Sequence, residues 1–194
     1  MKLGIIIGST RPGRSTDRQA LWIKKTVEAK GELEATLVDL KDYPLPFFNE
    51  AISPRYNPDR TPAPEVQKWL DTIGSFDAYI FVTPEYNHSI PGELKNVFDY
   101  MTWEMVHKPA AIASHGTVGG ARAAMHLKEI LSEGQAVVIP KFSAISHMSD
   151  VISEEGVLDE AVAANPYGPQ AQLDSLLGEL TWYATALKAA RDQE

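Results

Sequence analysis

The stretch Lys2-Leu3-Gly4-Ile5-Ile6-Ile7-Gly8-Ser9-Thr10-Arg11-Pro12-Gly13-Arg14-Ser15-Thr16 decides how the rest of the chain is read. Lys2–Ile7 is a short apolar run ending at Gly8, the pattern of a parallel strand buried on both faces. From Thr16 to Ala29 the pattern turns helical, with Ala20, Ile23 and Val27 on one face. The turn between them therefore sits at the carboxyl end of a strand. Its glycines allow sharp turning, Ser9, Thr10, Ser15 and Thr16 offer hydroxyls, and N–H groups at the helix start favour an anion. Arg11 and Arg14 can each add charge-assisted bonds, on the order of 1.5–3 kcal/mol before ordering costs. The loop lacks the Gly-Lys-Ser/Thr of a Walker motif and is not Gly-x-Gly-x-x-Gly.

Working outward, the alternation continues. Leu33–Leu40 reads as a second strand, Ala78–Val82 as a third, Ala110–Ala113 as a fourth and Ala136–Ile139 as a fifth. Helical patterns follow Pro64 (Val66, Leu70, Ile73), Pro91-Gly92 (Leu94, Val97, Phe98, Met101) and Gly119 (to Leu131). A last helix over about Gln170–Ala190 repeats Leu173, Leu176, Leu177, Leu180, Ala184 and Leu187. Tyr43–Pro64, with Pro44, Pro46, Pro54, Pro58, Pro62 and Pro64, is too proline-dense for helix or central strand. Lys141–Gly168 resists assignment beyond a short helix around Glu160. Alternating strands and helices mean right-handed crossovers and a parallel sheet covered on both faces. Residues 1–194 read as one domain, either flavodoxin-like or half of a Rossmann fold. Periodicity alone does not choose between them.

Composition excludes several classes of function. No apolar run approaches the roughly 20 residues of a membrane helix. The start reads as a strand and not as a signal peptide. There is no cysteine, which removes disulfides, thiolate metal sites and a Cys nucleophile and fits a cytoplasmic setting. With 18 Lys+Arg against 26 Asp+Glu, the chain lacks the basic surface of a nucleic-acid binder. Histidines at 88, 107, 115, 126 and 147 show no paired ligand spacing, so no metal site is expected. No Gly-x-Ser-x-Gly turn marks a hydrolase.

Two further strand-end loops stand out. Thr83-Pro84-Glu85-Tyr86-Asn87-His88-Ser89-Ile90-Pro91-Gly92 is stiffened by proline at both ends. It carries an aromatic, an amide and backbone groups that can line the edge of a planar heterocycle. Ser114-His115-Gly116-Thr117-Val118-Gly119-Gly120 has glycines that let backbone approach a ligand. In the order 2-1-3-4-5, strands one, three and four are neighbours and the three loops meet at one rim.

Together these residues resemble the NADPH-dependent FMN reductase family, whose relatives include quinone, azo-dye and chromate reductases. The likeness lies in Gly8–Ser15, Thr83–Asn96, Ser114–Gly116 and Gly119–Arg122, and covers about residues 2–140. It implies a flavodoxin-like three-layer α/β sandwich, a five-stranded parallel sheet in order 2-1-3-4-5 with helices on both faces. It also implies that Ser9, Arg11, Arg14, Ser15 and Thr16 surround an FMN phosphate. Pro84, Glu85, Tyr86 and Asn87 would meet the isoalloxazine, largely through backbone, with Ser114, His115 and Gly116 at its other edge. His115 stands where many members carry an aromatic residue.

The implied activity is transfer of hydride from NADPH or NADH through FMN to a small-molecule acceptor such as a quinone, free flavin, azo compound or metal oxyanion. The flavin carries that chemistry, so no catalytic side chain is nominated. A flavodoxin-type electron carrier and a non-enzymatic flavin-binding redox sensor are the competing readings. The resemblance further implies a homodimer or dimer of dimers. Tyr100 and Trp103, lying off the apolar stripe of the third helix, are interface candidates, with Phe47 and Phe48 in the proline-rich loop. Phe98, by its spacing, fits the core equally well.

Overall fold

Lys2–Ile7 forms β1, and every residue after Lys2 is buried because neighbours cover both faces. Leu3, Ile5 and Ile7 enter one apolar cluster and Ile6 the other, the two-residue alternation of a strand. The computed structural model describes residues 1–57 and 59–193; Pro58 and Glu194 lie outside the described residues. Strands β2 (Glu34–Asp39) and β3 (Ala78–Pro84) pair with β1 on either side. Strands β4 (Pro109–Gly116) and β5 (Val137–Ser146) complete a parallel sheet in the order 2-1-3-4-5. That is the flavodoxin-like arrangement, with its switch point between β1 and β3.

Helices α1 (Thr16–Lys30) and α7 (Pro169–Arg191) cover one face through Trp22, Ile23, Leu173, Leu176 and Leu180. On the other face α2 (Pro64–Gly74), α3 (Gly92–Asp99) and α4 (Ala121–Glu133) bring in Trp69, Leu94 and Leu127. Two short helices, α5 (Met148–Val151) and α6 (Glu160–Ala163), lie between β5 and α7. The second is the helix expected around Glu160, capped by Asp159, whose carboxylate accepts from the N–H groups of Ala161 and Val162. No helix among the described residues is long and apolar enough to cross a membrane.

Three strands run further than their apolar runs predict. β3 continues through Thr83-Pro84 and β4 through Ser114–Gly116, because parallel neighbours keep pairing where the side chains turn polar. β5 passes a break: Ala110 pairs with Val138 and Ile112 with Phe142. Pro140, which has no N–H to donate, falls inside that irregularity, and the ladder resumes at Phe142. The start of the stretch left open by the sequence, residues 141–146, is thus the second half of an edge strand.

The proline-rich loop is fastened to α3. The Asn96 amide donates to the Pro46 carbonyl (2.8 Å) and accepts from the Phe48 N–H (2.8 Å). The Tyr100 hydroxyl donates to the same carbonyl (3.2 Å), and its ring meets Phe48 edge-on at 5.2 Å. Tyr100 is therefore buried core and not surface, which corrects its reading as an interface residue. Phe48 is likewise partly buried in that packing, whereas Trp103 and Phe47 are exposed.

Candidate functional site

Parallel pairing brings the carboxyl ends of β1, β3 and β4 side by side, and with them the three loops. Gly8 leaves β1 so close to β3 that a Cβ there would lie 2.8 Å from the Val82 carbonyl oxygen, with which the Gly8 N–H bonds at the same distance. Ser9 is fully buried, and its hydroxyl meets the Tyr86 hydroxyl at 2.9 Å, joining the first loop to the second. The Arg11 guanidinium lies over the Tyr86 ring, 5.8 Å from its centroid.

The two arginines, grouped by the sequence as twin anion ligands, are employed differently. Arg14 forks onto the Asp39 carboxylate, 2.7 Å for its longer contact, and donates to the Ser9 carbonyl. Its side chain is 4% exposed, with Asp17 3.5 Å from Nε. The Asp39 hydrogen bond holds the Arg14 pKa above its ordinary value, outweighing burial. Burial pushes the Asp39 carboxyl up, but the Arg14 and Lys41 contacts prevail and keep it below its usual range. Arg14 thus braces the loop from behind, and Arg11 is the exposed guanidinium without an ion pair among the described residues.

Thr16 departs from expectation in the same way. Its side chain is fully buried and its hydroxyl lies 3.0 Å from His115 Nε2. What α1 offers outward is backbone: among the described residues nothing accepts from the N–H groups of Gly13, Ser15 or Thr16. The Ser15 hydroxyl likewise makes no capping bond.

The second loop is a tight hairpin. Tyr86 and Ser89 exchange N–H···O bonds of 2.9 and 3.0 Å, and Asn87 and His88 between them both take positive φ (48° and 67°), as a type I′ turn requires. Glu85 bonds through its N–H to the His115 carbonyl at 3.0 Å. Its carboxylate accepts from the N–H groups of Arg122 (3.0 Å) and Ala123 (3.4 Å) and from the Arg122 guanidinium (3.0 Å). Burial raises the Glu85 pKa, yet these bonds prevail and hold it below the usual carboxylate range. They cap α4, whose own N-cap is Gly120 and has no side chain to do so.

Gly120 (φ 74°) is obligatory for another reason: a Cβ would fall 2.7 Å from the His115 carbonyl oxygen. Ser114 is buried, its hydroxyl bonding the Gly119 carbonyl at 2.8 Å. His115 is 8% exposed, and burial pushes its pKa down to about 4, with Asp17 opposing. The imidazole is neutral at neutral pH.

The consequence is a choice between two helix starts. α4 is already occupied by Glu85, while α1 presents bond-free N–H groups, a free hydroxyl and one available guanidinium. Of the two, α1 is the start whose N–H groups are open to an anion. The chain's sequence signals missed Asp39 and Arg122, which take up Arg14 and Glu85; their only trace is acidic and basic residues at a strand end and a helix start. Among the described residues no group of three or more His, Asp or Glu is placed to hold a metal ion.

Known proteins resemble this chain in sequence and in fold. The NADPH-dependent FMN reductase family matches residues 1–150. An NAD(P)H-dependent FMN reductase of Schizosaccharomyces pombe is 32% identical over 83% of this chain and 80% of its own. The quinone reductase of Escherichia coli is 30% identical over 96% of this chain and 95% of its own. In structure the chain resembles FerB, an NAD(P)H:acceptor oxidoreductase flavoenzyme of Paracoccus denitrificans, with TM-score 0.71, 25% identity and 97% of each chain covered. A flavodoxin of Pseudomonas aeruginosa, at TM-score 0.52 and 15% identity over 95% of this chain and 99% of its own, shares the fold alone.

Proposed function

The chain belongs to the NADPH-dependent FMN reductase family, and from that premise we propose how its own residues serve the reaction. It is a flavoenzyme, an NAD(P)H-dependent FMN oxidoreductase. When bound, FMN supplies the hydride-transfer chemistry between the nicotinamide and the acceptor. The chain's residues supply placement and charge.

The FMN phosphate is held by the Arg11 guanidinium, the Ser15 hydroxyl and the N–H groups at the start of α1. Support comes from a donor set at the start of α1 that has no internal acceptor among the described residues. Ser9 and Arg14 serve the same site indirectly, Arg14 shaping the loop through Asp39 and the Ser9 carbonyl. Pro84, Glu85, Tyr86 and Asn87 face the isoalloxazine through backbone and the Tyr86 ring, since the Glu85 carboxylate is spent on α4. Ser114, His115 and Gly116 form the opposite edge. A neutral His115 adds no charge beside the ring.

The acceptor is a small molecule, and a quinone is the first to test, given the relative in E. coli. We further propose a cytoplasmic homodimer or dimer of dimers that uses exposed Trp103. The test is anaerobic titration of the FMN-loaded protein with NADPH and NADH, followed by a quinone. Full two-electron bleaching and recovery with turnover is expected. A long-lived one-electron form without direct NAD(P)H oxidation would convert the reading to an electron carrier. In Arg11→Ala the Kd for FMN should rise roughly 10- to 100-fold with the fold unchanged. Unaltered FMN affinity would mean that the phosphate lies elsewhere.

A further inference from the structure

Next to the anion loop, on its β2 side, lies a cavity of about 540 Å³, a size that takes a small organic molecule. Thr10 and Glu93 form the wall it shares with the loop, the Thr10 hydroxyl donating to Glu93 Oε1 at 3.1 Å. Tyr43, Phe47 and Val97 supply apolar surface. Phe47 is 85% exposed at the lip, an aromatic face with nothing over it among the described residues. The wall is pre-formed, since Asn96 clamps the backbone at Pro46 and Phe48 and the Tyr43 hydroxyl bonds Thr72 at 3.1 Å. Ordering it costs a ligand little.

Two charges of opposite sign stand at this cavity. Lys41 is exposed and has no ion-pair partner among the described residues, and the nearby Asp39 carboxylate is taken up by Arg14. Glu93 keeps a carboxylate oxygen that accepts from nothing among the described residues. The pair suits a flat ring that offers both an N–H donor and an anionic group.

We propose that the cavity takes the adenosine 2′-phosphate half of the dinucleotide donor. Its purine lies against Tyr43, Phe47 and Val97, its amine donates to Glu93, and its 2′-phosphate pairs with Lys41. This rests on the NAD(P)H–FMN reading above and makes Lys41 the residue that tells NADPH from NADH. An anionic aromatic acceptor would use Lys41 but would leave the second Glu93 oxygen unused, so the two-charge rim favours the nucleotide.

The test is calorimetric titration of FMN-loaded protein with 2′,5′-ADP, 5′-AMP and anthraquinone-2-sulfonate, on the native chain and on Lys41→Gln. We expect 2′,5′-ADP to bind about tenfold more tightly than 5′-AMP, the worth of one exposed phosphate contact, and the variant to lose that margin. The ratio of kcat/KM for NADPH over NADH should fall by a similar factor. No heat with 2′,5′-ADP, equal binding by the variant, or equal losses with both dinucleotides overturns the proposal. So does a Lys41-dependent site for anthraquinone-2-sulfonate alone, which would make the cavity an acceptor site. If the protein oxidises neither dinucleotide, the reductase reading fails, while the titration still judges the cavity by itself.

Discussion

His115 gives the fold a pH dependence that can be worked out from the structure. Its imidazole is 8% exposed, lies 3.0 Å from the Thr16 hydroxyl, and has its pKa pushed by burial from 6.5 down to about 4. The folded state thus disfavours the proton. Between those two values the unfolded chain binds more protons, so the stability due to the neutral ring is complete above pH 6.5 and is lost as pH falls toward 4. The full loss is about 3 kcal/mol, of which about 2 kcal/mol is gone between pH 7.5 and 5.0.

Asp39 and Glu85, whose pKa values are lowered by their partners, lose their contributions only as pH falls below the ordinary carboxylate range. The upper window therefore isolates the histidine. Urea unfolding of the FMN-free chain, read by the buried Trp22 and Trp69, measures it at successive pH values. His115→Gln keeps a polar partner for Thr16 without titrating, and its stability should decline about 2 kcal/mol less than the native chain's over the same interval. Parallel curves for the two proteins would refute the assignment of the slope to His115.

Other perturbations separate residues that look alike in sequence. Arg14→Ala leaves Asp39 without its guanidinium and should cost about 3 kcal/mol of stability in urea unfolding, most of it recovered in the double variant with Asp39→Ala. Exposed Arg11→Ala should stay within about 0.5 kcal/mol, and equal losses for the two arginines would contradict the division of labour. Gly120→Ala combines a left-handed backbone with a Cβ driven against the His115 carbonyl and should destabilise by at least about 2 kcal/mol. Because that carbonyl also fixes the Glu85 N–H, FMN retention should fall too, as equilibrium dialysis would show.

Hydrophobic periodicity alone was enough to place five strands and the main helices, because a parallel strand buried on both faces and a helix covering it differ in local pattern. Loop composition alone was enough to mark Gly8–Ser15, Thr83–Gly92 and Ser114–Gly120 as the chemically unusual segments. Strand ends were less legible: β4 and β5 continue past their apolar runs because backbone pairing with a neighbour, not side-chain character, decides where a ladder stops. Tyr100 escaped its helical stripe because it lies past the end of α3, where the proline-rich loop folds over it.

The roles within the site belong to tertiary structure. Arg11 and Arg14 are three residues apart in one polar loop, and nothing local separates them. Pairing of β1 with β2 places Asp39 opposite Ile7, next to that loop, and turns Arg14 inward to a carboxylate 25 residues away. Pairing of β3 with β4 similarly commits Glu85 to two N–H groups of α4, while those of Gly13, Ser15 and Thr16 at the start of α1 meet no acceptor among the described residues. The sequence by itself marked Gly8–Ser15 as a strand-end loop chemically suited to an anion. Only the long-range pairing of strands decided which charges remain to bind it, since a side chain's free valence depends on neighbours that the chain brings together after it folds.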